Sequence, residues 1–510
     1  MKKANKLLNI GHGKTAKIVI LDEVNVRFEG LDPVVRRACY DKLKYFIHAA
    51  RHTAAFKMGK WDGCVSLFAV NGNTYLNVVD KVLPIIAEDA GYNIEIVDHR
   101  QEYDFEFQDV YPEYIFDNAP NPVWPKGHPA EGEPIILRDY QVEIIRNYIE
   151  NPQCVQEVAT GAGKTLMTAT LSHLCEPFGR TIVIVPNKSL VEQTEADYKN
   201  IGLDVGVYYG DRKEPGHTHT ICTWQSLDRL NKNSTKKKKT GPELTQLDID
   251  TFTKDIVAVI VDETHMAKAD VLKGLLCGPF ANVPIRWGLT GTVPKEEHEY
   301  MTIVSGIGKV VHKLSAKELM DKGVLAQCHV DIIQLKDQVE FANYMDEYGY
   351  LVTDQNRLDW ISEFVKEIAK TGNTLVLFTR IETGKELHQR IEGSELIYGA
   401  VQSSDRKKVY DEVSGSDGHI ILASYGVAAV GINIPRIFNL VLFEPGKSFV
   451  RVVQSIGRGI RKAKDKDFVQ IYDITSTCKF SARHLTSRKK IYKDAEYPFT
   501  VKKIDYLKDF

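Results

Sequence analysis

The sequence predicts an α/β protein in which a small N-terminal α+β domain is followed by two parallel-sheet domains in tandem. Short β-branched runs alternate with amphipathic, helix-like stretches, and the same alternation begins again in the second half of the chain. Continuous apolar strands separated by helices are typical of parallel sheets buried on both faces. The runs are RTIVIVP (180–186), HTICTW (219–224), IVAVIVD (256–262), RWGLT (286–290), NTLVLFT (373–379), SELIYG (394–399), HIILAS (419–424) and FNLVLFE (438–444).

An acidic and then proline-rich stretch marks the end of the first domain. Residues 101–123 contain no lysine or arginine, and prolines are dense from Pro120 to Pro134. Proline cannot donate to a sheet and keeps its neighbours extended, so this composition indicates a linker. The expected division is an N-terminal domain with its linker at 1–130, a first sheet domain at 131–322, a second at 323–480 and a basic C-terminal tail at 481–510.

Composition excludes several classes of protein. A chain of 510 residues with 43% hydrophobic and 26% charged residues is expected to form several globular domains. The formal net charge of −2 requires any nucleic-acid binding to come from local basic faces. The eight cysteines form no CxxC pair, which argues against a zinc site or disulfide framework. Neither a signal peptide nor an apolar run of about 20 residues is present, so we expect a cytoplasmic protein.

A glycine-rich turn between an apolar strand and a helix-like stretch has the composition of a phosphate-binding loop. Such a turn presents backbone N–H groups to an anion at the carboxyl end of a strand. Its glycines allow the backbone to approach phosphates, its lysine contacts the β- and γ-phosphates, and its last hydroxyl ligates Mg²⁺. Because Val158 replaces the first glycine of the usual pattern, an ordinary strand-to-helix turn is the alternative. The turn consists of Thr160, Gly161, Ala162, Gly163, Lys164 and Thr165.

Two adjacent acids, Asp262 and Glu263, follow the apolar run 256–262. A site that hydrolyses a nucleoside triphosphate needs one carboxylate to support Mg²⁺ and a second group to polarise the attacking water. We assign the first role to Asp262 and the second to Glu263. A solvated helix start is the alternative explanation for such a pair. Together with the glycine-rich turn, the two acids predict hydrolysis of ATP with Mg²⁺.

Further motifs occur in the order found in the superfamily 2 helicases, and the chain resembles that family over about Ile135 to Asp473. LRDYQ (137–141) is similar to the adenine-reading motif, DETH (262–265) to the DExH motif, and LTGT (289–292) to the motif that links the ATP site to the second domain. The resemblance implies two tandem RecA-like domains with ATP and Mg²⁺ as cofactors. It implies adenine contacts for Arg138 and Gln141, and coupling roles for His265, Thr290 and Thr292.

The second sheet domain carries three more motifs of this family. LVLFTR (375–380), ASYGVAAVGINIP (423–435) and QSIGRGIR (454–461) resemble motifs IV, V and VI. Charge that develops on the γ-phosphate can be stabilised by this domain only when the cleft between the domains closes. The resemblance implies that Arg458 and Arg461 supply that stabilisation.

Other residues of these motifs are expected at the nucleotide or along the nucleic acid. Gln454 lies beside the arginines in sequence, Gly431 belongs to motif V, and Asn433 stands where many relatives carry aspartate. Two domains that close on ATP and open after hydrolysis can grip a strand alternately and step along its phosphates. In the first domain, IVPNKSL (184–190) and TWQSL (223–227) also resemble motifs that hold the nucleic-acid backbone. The expected backbone contacts are Ser189, Thr223, Gln225, Thr379, Arg380 and Ser424.

The N-terminal region contains the stretch RHTAAFKMGKWDGCVSLF (51–68). This stretch resembles a segment of the UvsW-like helicases of bacteriophages, and the resemblance implies an enzyme that acts on branched DNA. The Asp-Gly pair at 62–63 predicts a hairpin turn beside Trp61, and Lys57 and Lys60 favour contact of that hairpin with DNA. A turn with a core tryptophan is the alternative.

Two basic stretches carry weaker signals. STKKKKT (234–240) is expected to be a solvated loop, with phosphate contacts as the alternative. The tail from Lys479 to Phe510 has nine Lys or Arg against four acids. Its tyrosines either stack on bases or, as we favour, pack against the second domain. They are Tyr492, Tyr497 and Tyr506.

These features predict an ATP-dependent DNA helicase or translocase that unwinds or migrates forks, D-loops and four-way junctions in phage replication, recombination and repair. DETH, LTGT and QSIGRGIR are more similar to motifs of DNA translocases than to those of RNA helicases. The expected partner is therefore DNA, held by its phosphates in the cytoplasm of the host cell. An RNA helicase, a restriction-type motor subunit and an ATP-gated DNA clamp are the alternatives.

Overall fold

The chain divides into two compact units, Met1–Glu157 with Thr165–Lys313 and Val158–Lys164 with Leu314–Phe510. Four of the predicted site residues, His265, Gln454, Arg458 and Arg461, lie outside the described residues. The computed structural model describes residues 7, 10–126, 128, 130–240, 247–264, 269–401, 403–415, 417–431, 436–446 and 465–508.

Before residue 315 the described chain contains fourteen strands and ten α-helices. The strands are β1 (Thr15–Ile20), β2 (Asn25–Glu29), β3 (Lys44–Phe46), β4 (Cys64–Ser66), β5 (Asn73–Tyr75), β6 (Asn93–Asp98), β7 (Gln153–Val158), β8 (Arg180–Val185), β9 (Val205–Tyr209), β10 (Arg212–Lys213), β11 (His219–Thr223), β12 (Ile256–Asp262), β13 (Ile285–Thr290) and β14 (Lys309–Leu314). The helices are α1 (Pro33–Lys42), α2 (Ala54–Lys57), α3 (Tyr114–Asn118), α4 (Asp139–Glu150), α5 (Lys164–Cys175), α6 (Lys188–Ile201), α7 (Trp224–Thr240), α8 (Ile249–Thr253), α9 (Ala269–Leu276) and α10 (Glu297–Gly306).

From residue 315 onward, seven strands and seven α-helices follow in the described chain. The strands are β15 (Gln327–Leu335), β16 (Thr374–Phe378), β17 (Glu395–Ile397), β18 (Ile420–Ser424), β19 (Asn439–Phe443), β20 (Phe468–Ser476) and β21 (Phe499–Ile504). The helices are α11 (Ala316–Asp321), α12 (Tyr344–Leu351), α13 (Gln355–Ala369), α14 (Ile381–Arg390), α15 (Ser403–Gly415), α16 (Tyr425–Gly431) and α17 (Lys479–Asp494).

The N-terminal region is a small α+β domain. Its sheet has the order β5-β2-β1-β6, with β1 antiparallel to β2 and parallel to β6, and β3 pairs separately with β4. The inward residues of β1 and β2 alternate with exposed ones, as expected for a sheet with one buried face. Its core extends onto α10 of the next domain, where Met301 and Val304 are buried in the same cluster. The core of the N-terminal domain is therefore completed by two residues of the first large domain, which has a separate core of its own.

The first large sheet has the order β10-β9-β11-β8-β12-β13-β7-β14. The strands from β9 to β7 pair in parallel. All five residues of β11 and all six of β13 are buried, because helices cover both faces of such a sheet. The continuous apolar runs therefore correspond to central strands, as the sequence predicts.

The second large sheet has the order β17-β18-β16-β19-β20-β15-β21, and each of its pairs is parallel. Along the chain, an α+β domain is followed by two parallel-sheet domains, which confirms the predicted fold class. The domain limits at residues 130, 322 and 480 stay a prediction.

The acidic stretch that sequence composition identifies as a linker is packed against the first large domain. Tyr103, Phe105 and Phe107 alternate along it, and their rings stack with centroids 5.3 and 5.8 Å apart. The ring of Phe178, in the turn after α5, meets Phe105 and Phe107 edge-on at 5.2 and 5.3 Å. The acidic residues between these aromatic residues are exposed, so the outer side of this stretch is polar.

Two basic stretches differ from their expected conformation. The lysine run at 234–240 is part of α7, which continues to Thr240, and lysine is a good helix former. The expected tail forms α17 and β21, and β21 pairs in parallel with β15 at the edge of the second sheet. The three tyrosines considered for base stacking are buried: Tyr492 is 0%, Tyr497 2% and Tyr506 2% exposed.

Candidate nucleotide-binding and nucleic-acid-binding sites

The glycine-rich turn joins β7 to α5. Gly161 and Gly163 have φ values of 91° and 81°, in the left-handed region that favours glycine. Ala162 between them is fully buried, and Thr160 is half-buried. Helix α5 begins at Lys164, and the N-terminus of a helix favours an anion because its first N–H groups have no partner within the helix itself.

Three neighbouring strands bring the other nucleotide motifs to the same edge. Strands β12, β13 and β7 are adjacent and parallel, so their carboxyl ends meet at one edge of the sheet. Asp262 is the last residue of β12, Thr290 is the last residue of β13, and the glycine-rich turn leaves β7 there. Thr165 lies in the first turn of α5. This edge supplies the hydroxyl and carboxylate oxygens that Mg²⁺ prefers.

Glu263 has a constrained backbone and a defined side-chain contact. Its φ of 51° is unusual for a residue other than glycine, and its N–H donates to Asp262 Oδ1 over 2.9 Å. The side chain is 9% exposed, and Gly291 N donates to its Oε2 over 3.4 Å. The carboxylate is therefore directed toward the loop that follows β13.

The predicted coupling residues lie at this place, because Thr290 ends β13 and Thr292 belongs to the loop that follows it. Thr290 Oγ1 donates to Thr292 O over 2.7 Å, and both side chains are nearly inaccessible to solvent. The hydroxyls of Thr264 and Thr292 are buried with no hydrogen-bond partner among the described residues. The contact between Gly291 N and the Glu263 carboxylate is therefore the link between the acidic pair and the loop of the coupling motif.

The two residues expected to read adenine lie at the start of α4. Arg138 is the N-cap residue, and its backbone N donates to Gln141 Oε1 over 2.9 Å. The Arg138 guanidinium is exposed and donates to the Tyr140 hydroxyl over 3.0 Å. Gln141 is only 4% exposed. The structure thus gives Gln141 a helix-capping role that the sequence motif does not indicate.

The expected backbone contacts of the first sheet domain lie beyond the ends of β8 and β11, which are adjacent and parallel. Ser189 is the second residue of α6, and Thr223 ends β11. Ser226 N donates to Thr223 Oγ1 over 3.4 Å, and Gln225 Nε2 donates to Pro186 O over 3.2 Å. These residues therefore lie along the sheet edge that also carries Asp262.

In the second sheet domain, the expected contacts follow β16 and β18, which are adjacent and parallel. Thr379 is exposed, and Ser424 is the last residue of β18. The Arg380 guanidinium lies over the Tyr348 ring, 5.0 Å from its centroid. Gly431 is the last residue of α16. The structure brings Thr379, Arg380 and Ser424 to one edge of this sheet.

The hairpin predicted at the Asp-Gly pair 62–63 is wrong. Strand β4 begins at Cys64, but its partner β3 ends at Phe46, so the connection is a long loop that contains α2. Gly63 has a φ of 74°, and a side chain there would meet the Phe46 ring at 2.6 Å. The glycine is therefore required by close packing within this loop.

Trp61 and the two neighbouring lysines of this loop differ in their surroundings. Trp61 is half-buried, and its Nε1 donates to Cys64 O over 2.9 Å. Lys57 and Lys60 are exposed. A packed tryptophan thus supports a loop that presents two lysines to solvent.

Other features of the described residues are consistent with a reduced protein. All eight cysteines have free thiols, and burial raises the pKa of Cys39, Cys154 and Cys328 to about 12. Among the helices that the structure describes, none is long and apolar enough to cross a membrane.

Comparisons with known proteins agree with this arrangement. Residues 134–295 match the family described as type III restriction enzyme, res subunit, and residues 356–463 match the helicase conserved C-terminal domain. The chain is 23% identical over 471 residues to the ATP-dependent DNA helicase UvsW of Enterobacteria phage T4, with 86% of each protein covered. It is also 23% identical over 380 residues to the DNA 3'-5' helicase XPB of Kineococcus radiotolerans, covering 72% of this chain and 64% of that protein.

A solved structure of the ATP-dependent Type ISP restriction-modification enzyme LlaBIII bound to DNA shares the fold. The TM-score is 0.54 at 14% identity, and the match covers 84% of this chain and 34% of that enzyme. The two matched domains and the site at the carboxyl ends of β7, β12 and β13 define an ATP-dependent helicase with tandem RecA-like domains. The chain belongs to the superfamily 2 helicases, and within them it resembles UvsW.

Proposed function

We propose that this chain is an ATP- and Mg²⁺-dependent DNA helicase that unwinds or migrates branched DNA. The observation that carries the proposal is the shared edge of the first large sheet, where the glycine-rich turn, Asp262 and the Glu263–Gly291 contact follow three adjacent parallel strands. Two relatives, UvsW and XPB, are named as DNA helicases, which favours DNA over RNA.

The residues at this edge fit the chemistry of ATP hydrolysis. Lys164 and the N–H groups of the turn would hold the phosphates, and Thr165 and Asp262 would hold Mg²⁺, which neutralises charge on the phosphate oxygens. Glu263, oriented by the Gly291 N–H, would accept a hydrogen bond from the attacking water and align it. Charge stabilisation by Arg458 and Arg461, and alternating contacts of both domains with DNA phosphates, complete the proposal.

ATP hydrolysis by the purified protein tests the substrate class. Single-stranded DNA, duplex, forked DNA, a four-way junction and RNA are compared, with Lys164→Ala as the inactive reference. We expect DNA to stimulate hydrolysis and forked or four-way DNA to stimulate it most. Stimulation by RNA alone would identify an RNA helicase, and brisk hydrolysis without strand displacement would identify a translocase or a clamp.

The role of the N-terminal domain in fork preference requires point variants. Deletion of residues 1–130 would expose the face of α10 that carries Met301 and Val304, so it would damage the first large domain. Lys57→Gln with Lys60→Gln is expected to reduce binding to a fork while leaving hydrolysis without DNA unchanged. Lys14→Gln with Lys17→Gln is the matched control, because these lysines already pair with Asp32 and Glu95. Equal effects of both pairs would contradict this role.

A further inference from the structure

We propose that the outer face of α17 binds the phosphate backbone of a duplex arm of the DNA substrate. This face carries a basic stripe, which consists of Lys479, Arg483, Lys490 and Lys493. All four side chains are exposed. The inference rests on the proposed function, because it supplies the DNA to which the stripe would bind.

Helix α17 is divided cleanly into two faces. The inner face is buried in the second sheet domain, and its members are Ser481, Leu485, Arg488, Ile491 and Tyr492. The basic stripe occupies the opposite side, and the helix contains no acidic residue before Asp494. At 1.5 Å per residue, the stripe is about 21 Å long, enough to follow several phosphates of one strand.

Several lysines on other surface helices of this chain are paired with acids one turn away. Lys366 pairs with Glu363 at 2.7 Å, Lys370 with Glu367 at 2.6 Å, and Lys199 with Glu195 at 2.6 Å. In the part of the chain that the structure describes, no carboxylate lies within salt-bridge distance of any cation of the basic stripe. Like charges in a row repel one another, and binding of phosphates removes that repulsion.

The basic stripe begins close to a residue of the expected DNA track. Lys479 and Arg483 both lie over the Phe480 ring, 5.8 Å from its centroid. Phe480 packs against Tyr344 at 6.4 Å, and Tyr344 packs against Tyr348 at 5.7 Å. The Tyr348 ring is the one that lies under the Arg380 guanidinium. A chain of aromatic contacts therefore holds the start of the stripe at a fixed position relative to Arg380.

The composition of the outer face favours a duplex over a single strand. Binding of single strands relies on bases that stack on exposed aromatic rings. Tyr492, Tyr497 and Tyr506 are buried, and Phe480 lies under the two cations that cover it. The basic stripe therefore offers charge without stacking surfaces, which suits the regularly spaced phosphates of a double helix.

The test is a four-residue variant, Lys479→Gln, Arg483→Gln, Lys490→Gln and Lys493→Gln. Binding to a labelled duplex and to a single strand of the same length is measured across a salt series. Because the variant can no longer neutralise four phosphates, the slope of log K against log salt for the duplex should fall by about 3 to 4. We expect at least a tenfold loss of duplex affinity, a change of less than twofold on the single strand, and unchanged thermal stability.

A matched variant removes four lysines that are already paired with acids: Lys199→Gln, Lys317→Gln, Lys366→Gln and Lys370→Gln. This matched variant should leave the salt slope of duplex binding unchanged. A second control keeps the charge of the stripe with Lys479→Arg, Lys490→Arg and Lys493→Arg, and it should bind duplex DNA like the parent protein. An unchanged duplex slope in the glutamine variant, or an equal loss on single strands, would overturn the proposal. Absence of any DNA binding by the parent protein would instead refute the proposed function, and the stripe assignment with it.

Discussion

Arg488 and Asp473 form a buried, bidentate ion pair that fixes α17 to the second large sheet. Arg488 Nε donates to Asp473 Oδ2 over 2.8 Å, and Nη2 donates to Oδ1 over 2.9 Å. The remaining guanidinium nitrogen, Nη1, donates to Gly446 O over 2.6 Å. Tyr492 also donates to Asp473 Oδ2, over 2.7 Å. Gly446 directly precedes residues 447–464, which carry the expected arginines, so α17 anchors the point at which the chain enters that motif.

Replacement of this arginine is expected to destabilise the second domain strongly. Arg488→Met removes one partner of a pair in which both side chains are almost fully buried. The Asp473 carboxylate then keeps its desolvation cost without its main partner, and such changes lower the free energy of unfolding by about 3–5 kcal/mol. Chemical denaturation monitored by circular dichroism measures the loss. Arg37→Met is the control, because Arg37 pairs with Asp41 on the surface, and similar losses in both variants would contradict this explanation.

Glu263→Gln is expected to abolish most ATP turnover while leaving nucleotide binding intact. The amide keeps the size of the side chain and can still contact Gly291 N, but it cannot accept a proton from water. A general base contributes about 10²–10⁴ in rate, so kcat should fall by that factor. Turnover is measured beside equilibrium binding of a fluorescent nucleotide. Glu367→Gln, which changes a surface acid paired with Lys370, should leave both quantities unchanged. Loss of binding in Glu263→Gln would point to misfolding.

Asp197 makes the stability of the first large domain depend on pH. Burial of this half-buried residue of α6 raises the pKa of its carboxyl to about 6. The folded protein therefore retains a proton that the unfolded chain releases, and stability falls as pH rises from about 4 to about 6. Asp197→Asn removes this penalty and should raise the free energy of unfolding by up to about 3 kcal/mol at pH 8. Denaturation at pH 4 and pH 8 checks the sign, because the gain should vanish at the lower pH.

The sequence predicts the central strands well because their burial on both faces leaves continuous apolar runs. Strands β11 and β13 are examples, with all of their residues buried. The edge strands β14 and β21 are not predicted because half or more of their residues are exposed and their patterns contain lysines. The long loop 47–63 is not predicted for a different reason. It joins the paired strands β3 and β4, whereas the turn residues at its end favour a short hairpin.

Residue motifs identify the candidate nucleotide site, but they do not give the contacts that orient its side chains. The Glu263–Gly291 contact depends on the register of β12 against β13, in which Asp262 is opposite Leu289. Gln141 occupies a capping position that is defined by where α4 begins. Arg488 lies in a stretch that resembles a basic tail, and only the packing of α17 shows that its guanidinium is buried. Such roles arise from tertiary packing, which a local pattern cannot encode.

Gln153 links the N-terminal domain to the first large sheet. Its Nε2 donates to Glu23 O over 2.9 Å, and its Oε1 accepts from Asn77 Nδ2 over 3.0 Å. Glu23 N donates to Ala281 O over 3.0 Å, which adds a second point of attachment. Burial raises the pKa of the Glu23 carboxyl, so this contact is formed in a poorly hydrated place. The side chain of Gln153 therefore holds groups from two segments of the N-terminal domain.

Gln153→Leu is expected to loosen the N-terminal domain without unfolding it. The substitution leaves the Glu23 carbonyl and the Asn77 amide without this partner, at about 1–3 kcal/mol for each buried group. The shared core around Met301 and Val304 should still hold the two domains together. Hydrogen exchange should therefore accelerate in β1 and β2 while β12 and β13 keep their protection. Gln101→Leu is the control, because Gln101 is exposed and lines one cleft together with Gln153. Faster exchange throughout both domains in Gln153→Leu would show that the link is not local.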